Sequence, residues 1–236
     1  MIKNIDILKN SSIHLREDDH KYLLGDIEFD SVTTIMSKQF NPFDADAIAT
    51  KLVTTHPKYQ SMTKEELLLD WEIRRDAGTA VHEELEEYIL NKTYPKWKKS
   101  VAGAKWIDTQ LKNFGDTYFP EIIVFSEKHK IAGTIDLLVH DSKTNNCYIF
   151  DWKTSAKIDM IGRESGITTA SSNLTNCKFD QYSLQLSAYS YLLNNYHNII
   201  VKDTYIVHLM EDCAKCIKAR NLETNIESIF KEITSC

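Results

Sequence analysis

Between Phe119 and Ser155, β-rich apolar runs separated by polar stretches read as three consecutive β-strands. Two of these strands carry an acid, in Gly133-Thr134-Ile135-Asp136 and in Asp151-Trp152-Lys153. Upstream, Lys21 to Asp30 reads as a hairpin turning at Gly25-Asp26, with Tyr22, Leu24, Ile27 and Phe29 as its apolar positions. From residue 31 to about 117 the spacing turns helical. Ser31 caps a short helix through Met36, and Asn41-Pro42 starts a helix that runs to about Thr54 before His56-Pro57 breaks it. Thr63-Lys64-Glu65-Glu66 has the capping-box pattern and opens a helix carrying Leu67, Leu68, Trp71 and Ile73. Gly78 reads as the start of another, with Val81, Leu85, Tyr88 and Ile89 on its apolar face.

Downstream, Thr154 to Cys177 is polar and reads as a mobile loop longer than packing requires. Phe179 to Tyr196 is an amphipathic helix with Tyr182, Leu186, Tyr189 and Leu193 along one stripe. Val201 to Met210 reads as a strand and Leu222 to Ile233 as a terminal helix. This order predicts an α+β fold, a central mixed sheet flanked by helices. It predicts one domain over residues 1–236, with 31–117 as a mostly helical elaboration and 118–211 as the sheet core.

Composition narrows the function classes only a little. A chain of 236 residues, 42% hydrophobic, can bury a full core. No apolar run approaches the ~20 residues that span a bilayer, so no membrane partner is expected. Charges interrupt the N-terminal segment throughout, unlike a secretory signal. Five cysteines, an odd number without a disulfide framework, point to a reducing cytoplasm. The net charge of −6 does not advertise a polyanionic partner, but a groove can be locally basic. Between Asn91 and Lys112, Lys92, Lys96, Lys98, Lys99, Lys105 and Lys112 face a single acid, Asp108, with Trp97 and Trp106 interleaved. Such a stretch either holds a nucleic-acid strand by phosphate and base face, or is a solvated connection with two anchored tryptophans. Lys157 and Arg163 in the long polar loop are further candidates for phosphates.

The acids carry the chemistry. Carboxylates beside a core are costly unless a cation pairs with them. Paired strands can bring Asp136 and Asp151 together, where they repel unless a divalent metal takes both as ligands. Lys153, two residues after Asp151, points to the same strand face. The other reading is a structural ion pair between Lys153 and one of the acids. His82 and Glu86 are i,i+4 neighbours beside an apolar stripe, and His82 is either a core histidine or a metal ligand.

Taken in order, G-T-x-x-H on a helix, E-x-x-x-x-x-G-T-I-D from Glu127 to Asp136, D-W-K-T from Asp151, and Q-L-x-x-Y from Gln185 to Tyr189 resemble the RecB-type branch of the PD-(D/E)XK nuclease superfamily. Ser31 to Ile35 and Phe125 to Leu138 are similar to stretches of small phage-type exonucleases in that branch, and the resemblance covers about residues 20 to 210. It implies a restriction-endonuclease-like α/β/α core and a metal-dependent DNA nuclease, with one or two Mg²⁺ or Mn²⁺ ions. By that resemblance Asp136 and Asp151 are metal-binding acids, His82 joins them, and the carbonyl of Trp152 completes the shell. Lys153 orients the attacking water or stabilises the phosphorane. Gln185 and Tyr189 brace the lysine and touch DNA, while Glu127 has a supporting role and Glu86 lies behind the ligands. Lys98, Lys99, Lys105, Trp97 and Lys157 are candidate DNA contacts. Some relatives hold a [4Fe–4S] cluster with four cysteines, one of them preceding the G-T-x-x-H helix. Here no cysteine precedes Cys147, and Cys213, Cys216 and Cys236 do not complete such a set, so no cluster is expected. The activity implied is exonucleolytic, on DNA ends and with single-strand preference, in a host cytoplasm if phage-borne. The rivals are a structure-specific endonuclease, a non-catalytic nucleic-acid-binding module on a decayed nuclease fold, and a purely structural or solute-binding α+β domain.

Overall fold

A computed structural model describes residues 1–234. The elements in chain order are α1 (Ile2–Lys9), β1 (His14–Arg16), β2 (Lys21–Leu24), β3 (Ile27–Ser31), α2 (Val32–Ser37), α3 (Ala45–Thr55), α4 (Lys64–Asn91) and α5 (Lys98–Gln110). They continue with β4 (Thr117–Ser126), β5 (Ile131–Asp141), β6 (Asn146–Lys153), α6 (Lys178–Tyr196), β7 (Val201–Leu209), β8 (Ala214–Lys218) and α7 (Glu223–Thr234). Among the described residues the fold is α+β: an eight-stranded mixed sheet flanked by seven helices.

The sheet is organised by β5. β4 pairs with it antiparallel along one edge, from Ser126↔Ile131 to Thr117↔His140. The opposite edge is divided. β3 pairs in parallel only at Ile131 and Ala132, and β6 pairs antiparallel only from Leu137 to Asp141. Residues 133–136 therefore lie between two neighbours that do not meet. β6 continues the sheet through parallel β7 and antiparallel β8, and β3 continues it through the β2–β1 hairpins.

Two apolar layers close the sheet. On one face α1, α2, α6 and α7 pack Ile5, Ile35, Leu186 and Phe230 against Ile135, Leu138 and Ile149. On the other face α4 and α5 pack Val81, Leu85, Trp106 and Ile107 against Leu137, Phe150 and Trp152. Ile135 and Leu137 lie in different layers, although a regular strand puts residues two apart on one face. The alternation breaks at Asp136, and the register of β4 sets Glu121 across from it. Glu121 has φ of 49°, a left-handed conformation that strains any residue with a β-carbon. That break turns the two carboxylates out of the apolar layers.

Several local expectations are corrected. The helix after Asn41-Pro42 starts at Ala45, because the Asp44 side chain accepts the Ala47 amide at 2.9 Å and is the better cap. Ser31 precedes α2, but its hydroxyl pairs with that of Thr33 at 2.6 Å instead of capping the helix. The Thr63 capping box forms as read, with the Glu66 amide donating at 3.1 Å and the Thr63 amide donating back at 2.8 Å. Gly78 starts no helix; α4 runs 28 residues straight through it. The loop of residues 154–177 is cross-braced: the Ile167 amide donates to the Gln39 carbonyl at 2.9 Å and the Thr168 hydroxyl to the Gln39 side chain at 2.6 Å. Short α1, β1 and the edge strand β8 were not foreseen.

Gly133 sits where β5 has a partner on its β4 edge alone, beneath the Tyr189 ring, and a β-carbon there would lie 2.6 Å from Tyr189 Cε1 and 3.2 Å from Val32 Cβ. Gly133→Ala is expected to cost about 1–3 kcal/mol and lower Tm by about 2–10 °C, as thermal unfolding would show. An unchanged Tm would mean that α6 yields freely at this point.

Candidate metal centre and its cleft

Each side chain at the centre is delivered by a different element. Val81 and Leu85 bury one face of α4 in the apolar layer, which sets His82, on the adjacent face, over the middle of β5. Asp136 comes from β5 and Glu121 from β4. One donor atom each from His82, Glu121 and Asp136 lies within 4.8 Å of the others, the one such group among the described residues. His82 Nδ1 stands 3.5 Å from Asp136 Oδ2, and the same carboxylate oxygen accepts the Trp152 amide at 2.7 Å. That amide fixes Asp136 to the start of the β5–β6 ladder.

Asp151 and Lys153 come from β6, beside this group. Asp151 is 2% exposed, and Lys153 Nζ donates to its Oδ1 at 2.9 Å. Oδ2 is as close, at 2.8 Å, but off the hydrogen-bond direction, and it accepts no hydrogen bond despite its burial. Lys153 Nζ also lies over the Tyr182 ring, 4.7 Å from the centroid, and the Tyr182 hydroxyl pairs with that of Ser155 at 3.0 Å. From α6, Gln185 Nε2 donates to the Tyr189 hydroxyl at 2.9 Å.

The charges are in tension. Burial, with the Asp136 charge added, pushes the Glu121 carboxyl up to about 8. Burial likewise pushes Asp151 up to about 6, with Lys153 pulling it back and Asp136 adding to the rise. Burial would raise Asp136 too, but His82, Lys153 and the Trp152 amide hold it below the ordinary carboxylate value. His82 and Lys153 are disfavoured as cations by burial, yet the acids around them leave both above their ordinary values. Two clustered carboxylates and an imidazole, with a third buried carboxylate beside them whose Oδ2 accepts no hydrogen bond, form a donor set that fits a hard divalent cation.

His82, Trp152, Lys153 and Gln185 line a cavity of about 2020 Å³, while Glu121, Asp136 and Asp151 lie outside its lining. Eight lysines and arginines line it against four acids, although the chain as a whole carries −6. Its walls include α2 and the chain that follows it to Ile48, α4, the start of α5, the loop after β6 and the first turns of α6.

The sequence-derived candidates divide accordingly. His82, Asp136, Asp151, Lys153 and Gln185 converge. Trp152 buries its indole and contributes its amide to Asp136. Tyr189 is 2% exposed, so its ring braces Gln185 and has no surface to offer a strand. Trp97 and Lys98 line the cleft, Lys98 paired with Glu211 at 2.9 Å. Lys99 also lines it, but its ammonium donates to the Thr154 carbonyl at 2.5 Å. Lys105 borders a separate depression beside Asp212 and Cys213, and exposed Lys157, itself outside the cleft lining, pairs with Asp159 on it. Glu127 is exposed in the β4–β5 turn; the glutamate at the centre is Glu121, which sequence reasoning missed. Its signal was present: a lone acid inside the apolar run Phe119 to Phe125, the same anomaly that singled out Asp136 and Asp151. Glu86 is half-buried one turn along α4 and adds to the rise at Glu121. Cys147 and Cys177 are buried in the core, Cys213 is exposed, Cys216 is on β8, and Cys236 lies outside the described residues. No helix among the described residues is long and apolar enough to cross a membrane.

No protein-family model matches the chain, and no curated protein does. Among solved structures, SSO0001 superposes with a TM-score of 0.42 at 13% identity, covering 99% of this chain and 82% of that one. A candidate exonuclease from Eubacterium rectale superposes at 0.35 with 8% identity, covering 88% and 77%. Both scores are too low to carry a functional assignment.

The raised Glu121 pKa makes a signed prediction. The folded chain keeps a proton on Glu121 that the unfolded chain, at the ordinary value near 4.5, has released. Its contribution to stability is whole below about 4.5 and is lost as pH rises through about 8. In EDTA, Tm of the wild type should fall over this range more steeply than that of Glu121→Gln. Mn²⁺ should raise the wild-type Tm, increasingly as pH approaches about 8, because metal displaces that proton. Parallel Tm profiles for the two proteins, with no Mn²⁺ effect, would remove Glu121 from the centre.

Proposed function

We propose that this chain is a divalent-metal-dependent nuclease that hydrolyses DNA phosphodiester bonds, working from ends and favouring single strands. The observation that carries the reading is the convergence of His82, Glu121 and Asp136 within 4.8 Å, beside a buried Asp151–Lys153 pair, with His82 and Lys153 lining a basic cleft. The preference for ends rests on the motif resemblance; that for single strands rests also on the aromatic, cation-rich lining.

His82, Glu121 and Asp136 would hold Mg²⁺ or Mn²⁺, with Asp151, paired to Lys153, as a further acid beside them. Such an ion acidifies a water and neutralises charge on a phosphate. The remaining work belongs to the chain. Lys153 stays protonated, because its pKa is raised by the acids around it, so it serves as a fixed cation and not as a base. Asp151 and the Tyr182 ring hold the ammonium at the cleft surface, where charge builds on phosphate oxygens in the transition state. Because that cation is already oriented, little reorganisation accompanies the reaction. Gln185, tied to buried Tyr189, forms a fixed polar wall next to it.

The test is digestion of end-labelled linear single-stranded DNA with Mg²⁺, Mn²⁺ or EDTA. Wild type should cut only with metal, Lys153→Ala and Glu121→Ala should each lose about 10²–10³-fold in rate, and Glu127→Gln should cut normally. A covalently closed circle should resist. Equal cleavage by the Lys153→Ala protein, with Tm confirming a folded chain, would sink the assignment. Rapid loss of the circle would replace the exonuclease with an endonuclease.

A further inference from the structure

Trp71, Arg74, Arg75, Gly78 and His82 all reach the cleft from α4. Residues 71, 75, 78 and 82 are spaced by four, three and four, so they form one stripe along the helix. At 1.5 Å per residue, Trp71 stands ~16 Å along the axis from His82. Gly78 keeps the stripe close to the cleft floor: a β-carbon there would lie 3.0 Å from Thr154 Oγ1, just past Lys153.

At the far end of the stripe, the Phe43 ring packs on Trp71 with centroids 5.6 Å apart and planes at 56°. Phe43 remains 67% exposed, so this pair is not core packing but uncovered aromatic surface at the rim of a basic cleft. Trp97, 51% exposed, is on the same lining. The cation excess of the lining calls for a polyanion, and the ring faces call for flat apolar groups spaced along it. Unpaired nucleotides provide both, whereas a duplex hides its base faces in its own stack.

We propose that Phe43 and Trp71 form a base-stacking platform for a single-stranded nucleic acid, at a fixed distance along α4 from the metal centre. The platform rests on the nucleic-acid reading of the cleft and adds a subsite to it. A strand with its reacting phosphate at His82 and Lys153 runs along α4 past Arg75, and a base a few nucleotides away stacks on the ring pair.

The experiment measures binding of oligothymidylates of increasing length, in EDTA so that none is cut, by fluorescence anisotropy. The proteins are wild type, Phe43→Ala and Phe43→Tyr. Phe43 is exposed, so its replacement leaves the fold intact, and Tm checks this. Wild-type affinity should climb with length until the strand spans the stripe. Phe43→Ala should weaken the long oligomers by about 5- to 100-fold, leave the shortest unchanged, and be rescued by Phe43→Tyr. Three results overturn the platform: a Phe43→Ala protein that matches wild type at every length, one that loses equally at every length, or a wild type that prefers duplex of the same length. In any of these cases metal-dependent cleavage leaves the nuclease reading standing. If the wild type binds no oligomer and cuts none, both readings fall together.

Discussion

The edge of β5 that faces away from β4 is shared by two strands that do not meet, and the chemistry of this molecule depends on that gap. Residues 133–136 have no ladder partner there, so Asp136 takes the Trp152 amide through its side chain. The same place is where the strand faces exchange and where Glu121 adopts its left-handed backbone. A continuous ladder would have sent both carboxylates into an apolar layer or out to solvent. The interruption instead aims them at one point, which α4 reaches with His82. Burial of Gly133 under Tyr189 anchors the other end of the gap to α6, and through it the Gln185 wall.

Electrostatically the centre is an unfinished assembly. Its acids are buried deeply enough that two of them are pushed toward their neutral forms, while its cations are kept charged only by those acids. Asp151 keeps both oxygens within 2.9 Å of the Lys153 ammonium, yet only Oδ1 accepts a hydrogen bond from it. Burying unsatisfied oxygen is destabilising in a purely structural domain, where an apolar replacement would serve better. Its persistence beside an imidazole and two further carboxylates is what a cation site requires.

The sequence made much of this legible, for physical reasons that differ by residue. Asp136 and Asp151 betrayed themselves as charges inside β-rich apolar runs, and Lys153 and His82 followed from strand and helix periodicity. Glu121 carried the same mark but was passed over in favour of Glu127, because only strand register shows which acid stands across from Asp136. Gly78 was read as a helix start, since glycine is a poor helix former; its presence mid-helix is explained by Thr154, a contact 76 residues downstream that local pattern cannot reveal. The lysine-rich stretch divided likewise: Lys98 and Lys99 border the cleft, while Lys105 turns to another surface, a matter of helix phase in α5. α1 and β8 bury too few side chains for a clear pattern to show.

Because α4 passes without interruption from the cleft rim to the metal centre, the separation between the two is not freely adjustable. Inserting one residue between Trp71 and His82 would lengthen the span by only ~1.5 Å but swing the rim side chains by ~100° away from the cleft. Insertions of four or seven residues come closest to restoring the phase, so the reach of this cleft changes in steps near whole helical turns. The rod is thus a ruler with coarse graduations, and its length, unlike that of a loop, is a discrete variable.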